Sequence, residues 1–145
     1  MFDTGAPSLR PRILVVDDEQ MIGRTLRRSL AKDNDVHFVD SGAGAMAILE
    51  KDSRFDLVLC DLMMPDTSGM DLFAWVERER PELAPRFIFM TGGSFTERSR
   101  AFLLKIPNPQ VEKPFDTESL RQLVARQVEH LGPLELPPSF AALAG

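Results

Sequence analysis

The sequence predicts an α/β fold in which a five-stranded parallel sheet carries helices on both faces. Strand and helix signals alternate five times along the chain, and repeated βα units build parallel sheets. Three short apolar runs, partly β-branched, are typical of strands buried between two helical layers. These runs are Ile13 to Val16, Phe55 to Cys60 and Phe87 to Met90. Together the two observations indicate a doubly wound sheet.

The elements follow in order from these patterns. Strands are predicted at residues 12–17, 35–40, 55–60, 86–90 and 109–112, and helices at 19–32, 42–52, 68–80, 95–105 and 117–131. The first helix has apolar residues at helical spacing, among them Leu26 and Leu30. Capping-box spacing marks the starts of the third and fourth helices, with Ser68 and Asp71 in one pair and Ser94 and Glu97 in the other.

The second and fifth strands are more polar than the other three. Their sequences are Val36-His-Phe-Val39-Asp and Pro109-Gln-Val-Glu-Lys113. Polar strands suit the edges of a sheet, which agrees with the flavodoxin-like strand order 2-1-3-4-5.

The length of 145 residues and the composition indicate one globular domain, predicted at residues 12–131. Residues 1–11 are expected to form a flexible N-terminal lead, and residues 132–145 a Pro-rich C-terminal tail. A net charge of −5 argues against a nucleic-acid surface. The sequence shows no apolar run long enough to span a membrane and no signal-peptide pattern, so we expect no membrane insertion. Its single cysteine, Cys60, excludes an internal disulfide and fits a reducing compartment, so we expect a cytoplasmic protein.

Polar residues stand where four of the predicted strands end. Asp17 and Asp18 follow the first strand, Asp61 the third, Thr91 the fourth and Lys113 the fifth. In an open α/β sheet the loops at the carboxyl ends of the strands form the ligand crevice. Three carboxylates, a hydroxyl and an ammonium are therefore expected to converge on one pocket.

These residues lie in motifs that resemble the signature of the receiver (CheY-like) domain of two-component response regulators. The motifs are Asp17-Asp18-Glu19, Asp61-Leu-Met-Met-Pro65 with Gly69, Thr91-Gly92 and Glu112-Lys113-Pro114-Phe115. The stretch from Phe102 through Pro107-Asn108-Pro109 also resembles receivers appended to hybrid sensor kinases. The resemblance covers about residues 12–131.

Phosphoryl transfer requires positioning and charge neutralisation, and the residues of the expected pocket suit both. Asp61 is the candidate phosphoacceptor that forms an aspartyl phosphate, while Lys113 and Thr91 are candidate partners of the phosphoryl oxygens. Asp17 and Asp18, with Asp61, are candidate ligands for Mg²⁺, for which Mn²⁺ can substitute. The backbone carbonyl of Met63 is a further candidate ligand.

The resemblance also implies a conformational switch and a docking surface. The residue matching Thr91 moves on activation, the Lys113-Pro114 peptide is expected to be cis, and an aromatic residue usually occupies the place of Gln110. With glutamine there, the change of state is expected to pass through the helix at 95–105. A sensor histidine kinase or phosphotransfer protein is expected to dock on the first helix, for which the candidate residues are Met21, Ile22 and Thr25.

Simpler interpretations exist for several of these residues. Asp17 and Asp18 could simply stabilise the start of the first helix, where acidic residues are favoured. Asp66 and Ser68 are expected to form the turn after the third strand. Ile22 could be a core residue. Cys60 is expected to be a buried hydrophobe, and neither His37 nor His130 is expected to bind metal.

The sequence thus predicts a stand-alone receiver, a phosphoacceptor rather than an enzyme acting on separate substrates, with output by contact with an unknown target protein. A phosphate shuttle or sink is the alternative within the family. A metal-dependent phosphatase with an Asp nucleophile is less favoured, because Met63 stands where such an enzyme needs a second carboxylate. A pseudo-receiver is disfavoured because every acceptor residue is present.

Overall fold

The described part of the chain, residues 10–134 of a computed structural model, forms a single five-stranded parallel sheet. The strand order is β2-β1-β3-β4-β5, as predicted. The strands are β1 Arg12–Val16, β2 Asp35–Val39, β3 Leu57–Asp61, β4 Phe87–Thr91 and β5 Gln110–Glu112. Residues 1–9 of the predicted lead and 135–145 of the predicted tail lie outside the described residues, so the domain boundaries stay predictions.

Within residues 10–134, each strand is followed by an α-helix, and the five helices cover both faces of the sheet. They are α1 Gln20–Leu30, α2 Gly42–Lys51, α3 Gly69–Glu79, α4 Glu97–Lys105 and α5 Thr117–Leu131. None of the helices within residues 10–134 combines the length and apolarity needed to cross a membrane.

Alternation along the central strands divides the apolar side chains between two cores. Ile13 and Val15 of β1 pack with residues of α1 and α5, whereas Leu14 and Val16 pack with α2 and α3. Successive side chains of a strand point to opposite faces, so a strand covered on both sides is apolar throughout. This explains why β1, β3 and β4 appear as continuous apolar runs in the sequence.

A cluster of phenylalanines fastens α3 and α4 to the centre of the sheet. Phe73 of α3 meets Phe87 and Phe89 of β4 at ring-centroid distances of 5.4 Å, in edge-to-face geometry. Phe102 of α4 contacts Phe89 at 5.3 Å in the same geometry. Edge-to-face pairs add about 0.5–1.5 kcal/mol each beyond area burial. The cluster therefore ties α4 directly to the strand that ends in Thr91.

Cys60 lies in β3, immediately before Asp61, and is buried as predicted. Its Sγ lies 3.3 Å from the carbonyl oxygen of Asp61. Burial, followed by the nearby negative charges of Asp61 and Asp17, raises the pKa of the thiol well above its usual range. Cys60 is therefore a packed hydrophobe rather than a nucleophile.

One of the two predicted capping boxes is confirmed and the other is wrong. At the start of α3, the Ser68 hydroxyl accepts from the Asp71 N–H at 3.1 Å and the Asp71 carboxylate accepts from the Ser68 N–H at 3.1 Å. Helix α4 does not use Ser94 and Glu97, because its capping residue is Thr96, paired with Ser99. The backbone turns at Gly93, with φ of 88°, and the helix starts only at Glu97.

A 3₁₀ helix at Pro81–Arg86, before β4, is a feature the sequence patterns did not predict. Residue 86, predicted to begin the strand, is instead the last residue of this element. The buried Arg86 guanidinium donates to the carbonyl oxygens of Asp56 and Gly132 at 3.2 and 2.9 Å. It thereby fastens the end of α5 to the amino end of the sheet, opposite the acidic residues.

We predict that Gly69→Ala destabilises the fold by about 1–3 kcal/mol, the usual cost of overpacking. A Cβ at Gly69 would lie 2.4 Å from the backbone oxygen of Asp61 and 2.9 Å from the Cα of Leu62. Backbone atoms at the end of β3 would have to move. Chemical denaturation measures the loss.

Gly92→Ala is the matched control, because a Cβ there has no atom within 4 Å. Equal stability of the two variants would contradict the close packing of α3 against the end of β3.

Candidate functional site

Three carboxylates meet at the carboxyl edge of the sheet. Asp17 directly follows β1 and is fully buried, Asp61 ends β3 with 6% of its surface exposed, and Asp18 is exposed. Each offers an oxygen within 4.8 Å of an oxygen of the others. The predicted acidic cluster is therefore present in the structure.

Lys113 brings the only cation that ion-pairs with this cluster among the described residues. It follows β5, and its N–H donates to the carbonyl oxygen of Thr91 at 2.7 Å. Its Nζ lies 2.8 Å from Asp17 Oδ2, 3.6 Å from Asp61 Oδ2 and 3.3 Å from Glu19 Oε1. The Lys113-Pro114 peptide is cis, as the resemblance implied.

Thr91 ends β4 beside these charged groups. It is 5% exposed and is paired in register with Glu112 of β5, the neighbour of Lys113. In the pairing of β3 with β4, Asp61 lies opposite Met90. Thr91 is therefore one residue closer to the carboxyl edge of the sheet than Asp61. Gly92 and Gly93 follow, and Gly92 has open space on its side-chain side. All five residues predicted to form the pocket thus lie at one edge of the sheet. They are Asp17, Asp18, Asp61, Thr91 and Lys113.

The confined charges change the proton affinity of the site. Burial first, then repulsion by Asp17, raises the pKa of Asp61 from 3.8 to about 7, although the charge of Lys113 opposes the rise. Burial likewise raises the pKa of Asp17. Burial lowers the pKa of Lys113, but the close contact with Asp17 and the negative charges of Asp61 and Asp17 outweigh it, so the pKa is raised. The pocket holds more negative charge than Lys113 neutralises.

The donor set fits a hard divalent cation. Asp17 Oδ2 is buried and has no hydrogen-bond partner of good geometry among the described residues, even though Lys113 Nζ lies 2.8 Å away as an ion-pair partner. Because Lys113 Nζ is shared with Asp61 and Glu19, it offsets the buried charge of Asp17 only in part. Mg²⁺ takes oxygen ligands and is held by one or two carboxylates with waters and phosphoryl oxygens. Asp17, Asp18 and Asp61 are the residues that could hold it.

Other predicted residues lie away from this pocket. Met21 is 76% exposed on α1 and Thr25 is exposed as well, whereas Ile22 is half-buried and packs against the core between α1 and the sheet. Gln110 is exposed, and its side-chain amide donates to the carbonyl oxygen of Leu103 at 3.3 Å. The residue in the usual aromatic position therefore contacts the last turns of α4 instead of the acidic pocket.

Two contacts at this edge were not predicted. The Glu19 side chain lies beside Lys113, although Glu19 was noted only as part of a motif. Arg98 of α4 donates to Asp71 of α3 at 2.9 Å, so the carboxylate that completes the capping box of α3 also links the two helices. Neither has a clear sequence signal, because each joins residues brought together only by the order of the strands and helices.

Strand order 2-1-3-4-5, with acidic groups and one lysine at its carboxyl edge, is the arrangement of a CheY-like receiver. Comparison with known proteins agrees, because a family model for the response regulator receiver domain matches residues 13–125. The chain belongs to this family, whose members act in two-component systems. Members are generally phosphoacceptors and bind Mg²⁺ through acidic residues.

The chain is similar to one part of several larger proteins. The transcription factor SKN7 of Chaetomium thermophilum is 29% identical over 135 residues, and the response regulator ArlR of Staphylococcus haemolyticus is 33% identical over 110. These alignments cover 92% and 74% of this chain, but 17% and 48% of the relatives, so the chain spans less than half of either. A CheY-like receiver domain protein from Methanospirillum hungatei shares the fold, with a TM-score of 0.74, 23% identity and coverage of 84% and 96% of the two chains.

We predict that, without divalent cations, the protein loses stability as pH rises from about 4 to 7. The folded state keeps a proton on Asp61 up to a pKa of about 7, whereas the unfolded chain releases it near 3.8. The folded state binds more protons in this window, so the free energy of unfolding falls with pH there and levels off above it. The slope is on the order of 1.4 kcal/mol per pH unit at most.

Asp61→Asn should remove this contribution, which urea unfolding at several pH values in a chelator measures. The stability difference between the variant and wild type should grow from pH 4 to 7. A difference that stays constant with pH would show that Asp61 is not the titrating group.

Proposed function

We propose that this domain accepts a phosphoryl group on Asp61 from a sensor histidine kinase or a phosphotransfer protein. The observation that carries the proposal is the placement of Asp61. It is a nearly buried carboxylate at the end of the central strand, with two further carboxylates and the Lys113 ammonium around it. Such a site combines a nucleophile with the charge neutralisation that phosphoryl transfer needs.

The proposed reaction makes one bond and breaks one. A carboxylate oxygen of Asp61 attacks the phosphorus of a phosphohistidine, the P–N bond breaks, and the electron pair stays on the imidazole nitrogen, which takes up a proton. The product is an aspartyl phosphate. Hydrolysis by water later returns the carboxylate and inorganic phosphate. The protein thus catalyses only its own phosphorylation and dephosphorylation.

The surrounding residues have separate tasks in this proposal. Lys113 Nζ, 3.6 Å from Asp61 Oδ2, is placed to pair with a phosphoryl oxygen, and the Thr91 hydroxyl is a donor for another. Asp17, Asp18 and Asp61 would hold the cation, and the Met63 backbone carbonyl is a candidate further ligand. When bound, Mg²⁺ supplies positive charge to the phosphoryl oxygens. Lys113 also favours the ionised form of Asp61 that attacks.

Surface exposure supports two docking residues for the phosphodonor protein. Met21 is the second most exposed large hydrophobic side chain among the described residues, at 76%, and Thr25 lies one turn further along α1. We assign Ile22 to the core that α1 covers rather than to docking. Output then passes by contact to a further protein, through α4, which Gln110 and Phe102 connect to the sheet.

We predict that a small phosphodonor such as acetyl phosphate, with Mg²⁺, adds one base-labile phosphoryl group, and that Asp61→Asn abolishes the addition. Asparagine fills the same space but is not a nucleophile toward phosphorus. Intact-mass spectrometry measures the labelled fraction.

Asp66→Asn is the matched control in the same loop, because Asp66 has a φ of 67°, which asparagine also tolerates. It should label as wild type does. Persistent labelling of the Asp61 variant would show that another residue is the acceptor.

We also predict that Mg²⁺ raises the melting temperature, and that Asp17→Asn removes most of that rise. A cation that binds only the folded protein adds about 2.7 kcal/mol at a hundredfold excess over Kd. The variant should be more stable than wild type in a chelator, because repulsion between Asp17 and Asp61 is relieved. The amide oxygen of the introduced asparagine can still accept the hydrogen bond that the Glu19 N–H donates to Asp17.

Calorimetry with Mg²⁺ and with chelator gives both quantities. Asp40→Asn is the control, since Asp40 follows β2 at the same end of the sheet and, within residues 10–134, its side chain accepts a hydrogen bond from Gln20 and lies outside the three-carboxylate cluster. An Asp17 variant that melts lower in chelator and keeps the full Mg²⁺ response would contradict the acidic-pocket model.

A further inference from the structure

Glu19 touches two members of the acidic pocket without belonging to the three-carboxylate cluster. Its backbone N–H donates to Asp17 Oδ1 at 2.9 Å, and its side-chain Oε1 lies 3.3 Å from Lys113 Nζ. Glu19 occupies the capping position of α1, yet its side chain makes no capping hydrogen bond. The side chain therefore does not serve the helix, and its contact among the described residues is with Lys113.

The three carboxylates around Lys113 differ in their freedom to move. The side chains of Asp17 and Asp61 are 0% and 8% exposed, whereas that of Glu19 is 61% exposed. The Lys113 side chain itself is only 12% exposed. Glu19 is thus the one partner that can swing into water without opening the fold. It is also bound weakly, because exposed ion pairs contribute only about 0.2–1 kcal/mol.

We propose that Glu19 is a positioning residue that holds Lys113 Nζ in the unphosphorylated protein and gives up that place to a phosphoryl oxygen. The inference rests on the proposed phosphorylation of Asp61. An incoming phosphoryl group needs the same ammonium that Glu19 pairs with, and it brings negative charge toward the Glu19 carboxylate. Glu19 therefore opposes loading of the site until the phosphoryl group displaces it.

Weakening this contact should make the site easier to load. In Glu19→Gln, which removes the charge, we expect the second-order rate constant for labelling by acetyl phosphate to rise about two- to fivefold, the equivalent of one exposed ion pair. The concentration of beryllofluoride, a phosphoryl mimic, that half-saturates the Mg²⁺-bound protein should fall by a similar factor. Both are measured on the full chain, the first by intact mass and the second by NMR.

A second variant separates contact from net charge. Glu19→Asp keeps the negative charge but shortens the side chain by one methylene, and aspartate at a capping position favours the helix N–H groups. If Glu19 acts by holding Lys113, this variant should also load faster than wild type. If only charge near the site matters, it should match wild type.

Glu129→Gln is the charge-matched control, since Glu129 is exposed near the far end of α5. It should load at the wild-type rate. The proposal is overturned if Glu19→Asp equals wild type, if neither Glu19 variant changes either measurement, or if Glu129→Gln changes them equally. Failure of wild type to label at Asp61 would instead refute the proposed function, so the two failures are distinguishable.

Discussion

Confinement of like charges at one edge of the sheet is the constraint on which the rest of the site depends. Parallel strands end side by side, so Asp17 and Asp61 are forced into a shared, nearly dry space. Repulsion there is expensive, and Lys113, supplied by the last strand, offsets only part of it. The fold thus keeps a pocket with more negative charge than Lys113 neutralises, and its three carboxylates are the residues that could hold a divalent cation.

The same edge connects the pocket to the helices that cover the sheet. Gly69, the first residue of α3, lies against the carbonyl of Asp61, and the capping carboxylate of Asp71 also pairs with Arg98 of α4. Phe102 links α4 to β4 through Phe89. If the ends of β3 or β4 move, the residues packed against them and hydrogen-bonded to them have to move as well. These contacts connect the pocket to α4.

The fold and the positions of the pocket residues could be predicted because their signals are local. Apolar runs mark the buried strands, and a charged residue directly after a run locates the edge. The capping box of α4 could not be located in this way, since Ser94 with Glu97 fits the motif as well as Thr96 with Ser99 does, and the turn at Gly93 decides between them. The contact between Glu19 and Lys113 could not be predicted for a different reason. The two residues are 94 positions apart in the sequence, and only the order of the strands brings them together.

Burial of Cys60 offers a way to measure the opening of the sheet. The single thiol of the chain is buried in the central strand, next to Asp61, and its raised pKa keeps it in the unreactive protonated form. A thiol reagent can reach it only in molecules whose sheet has opened. The rate of alkylation therefore reports how often the strand that carries Asp61 opens, and no cysteine has to be introduced to measure it.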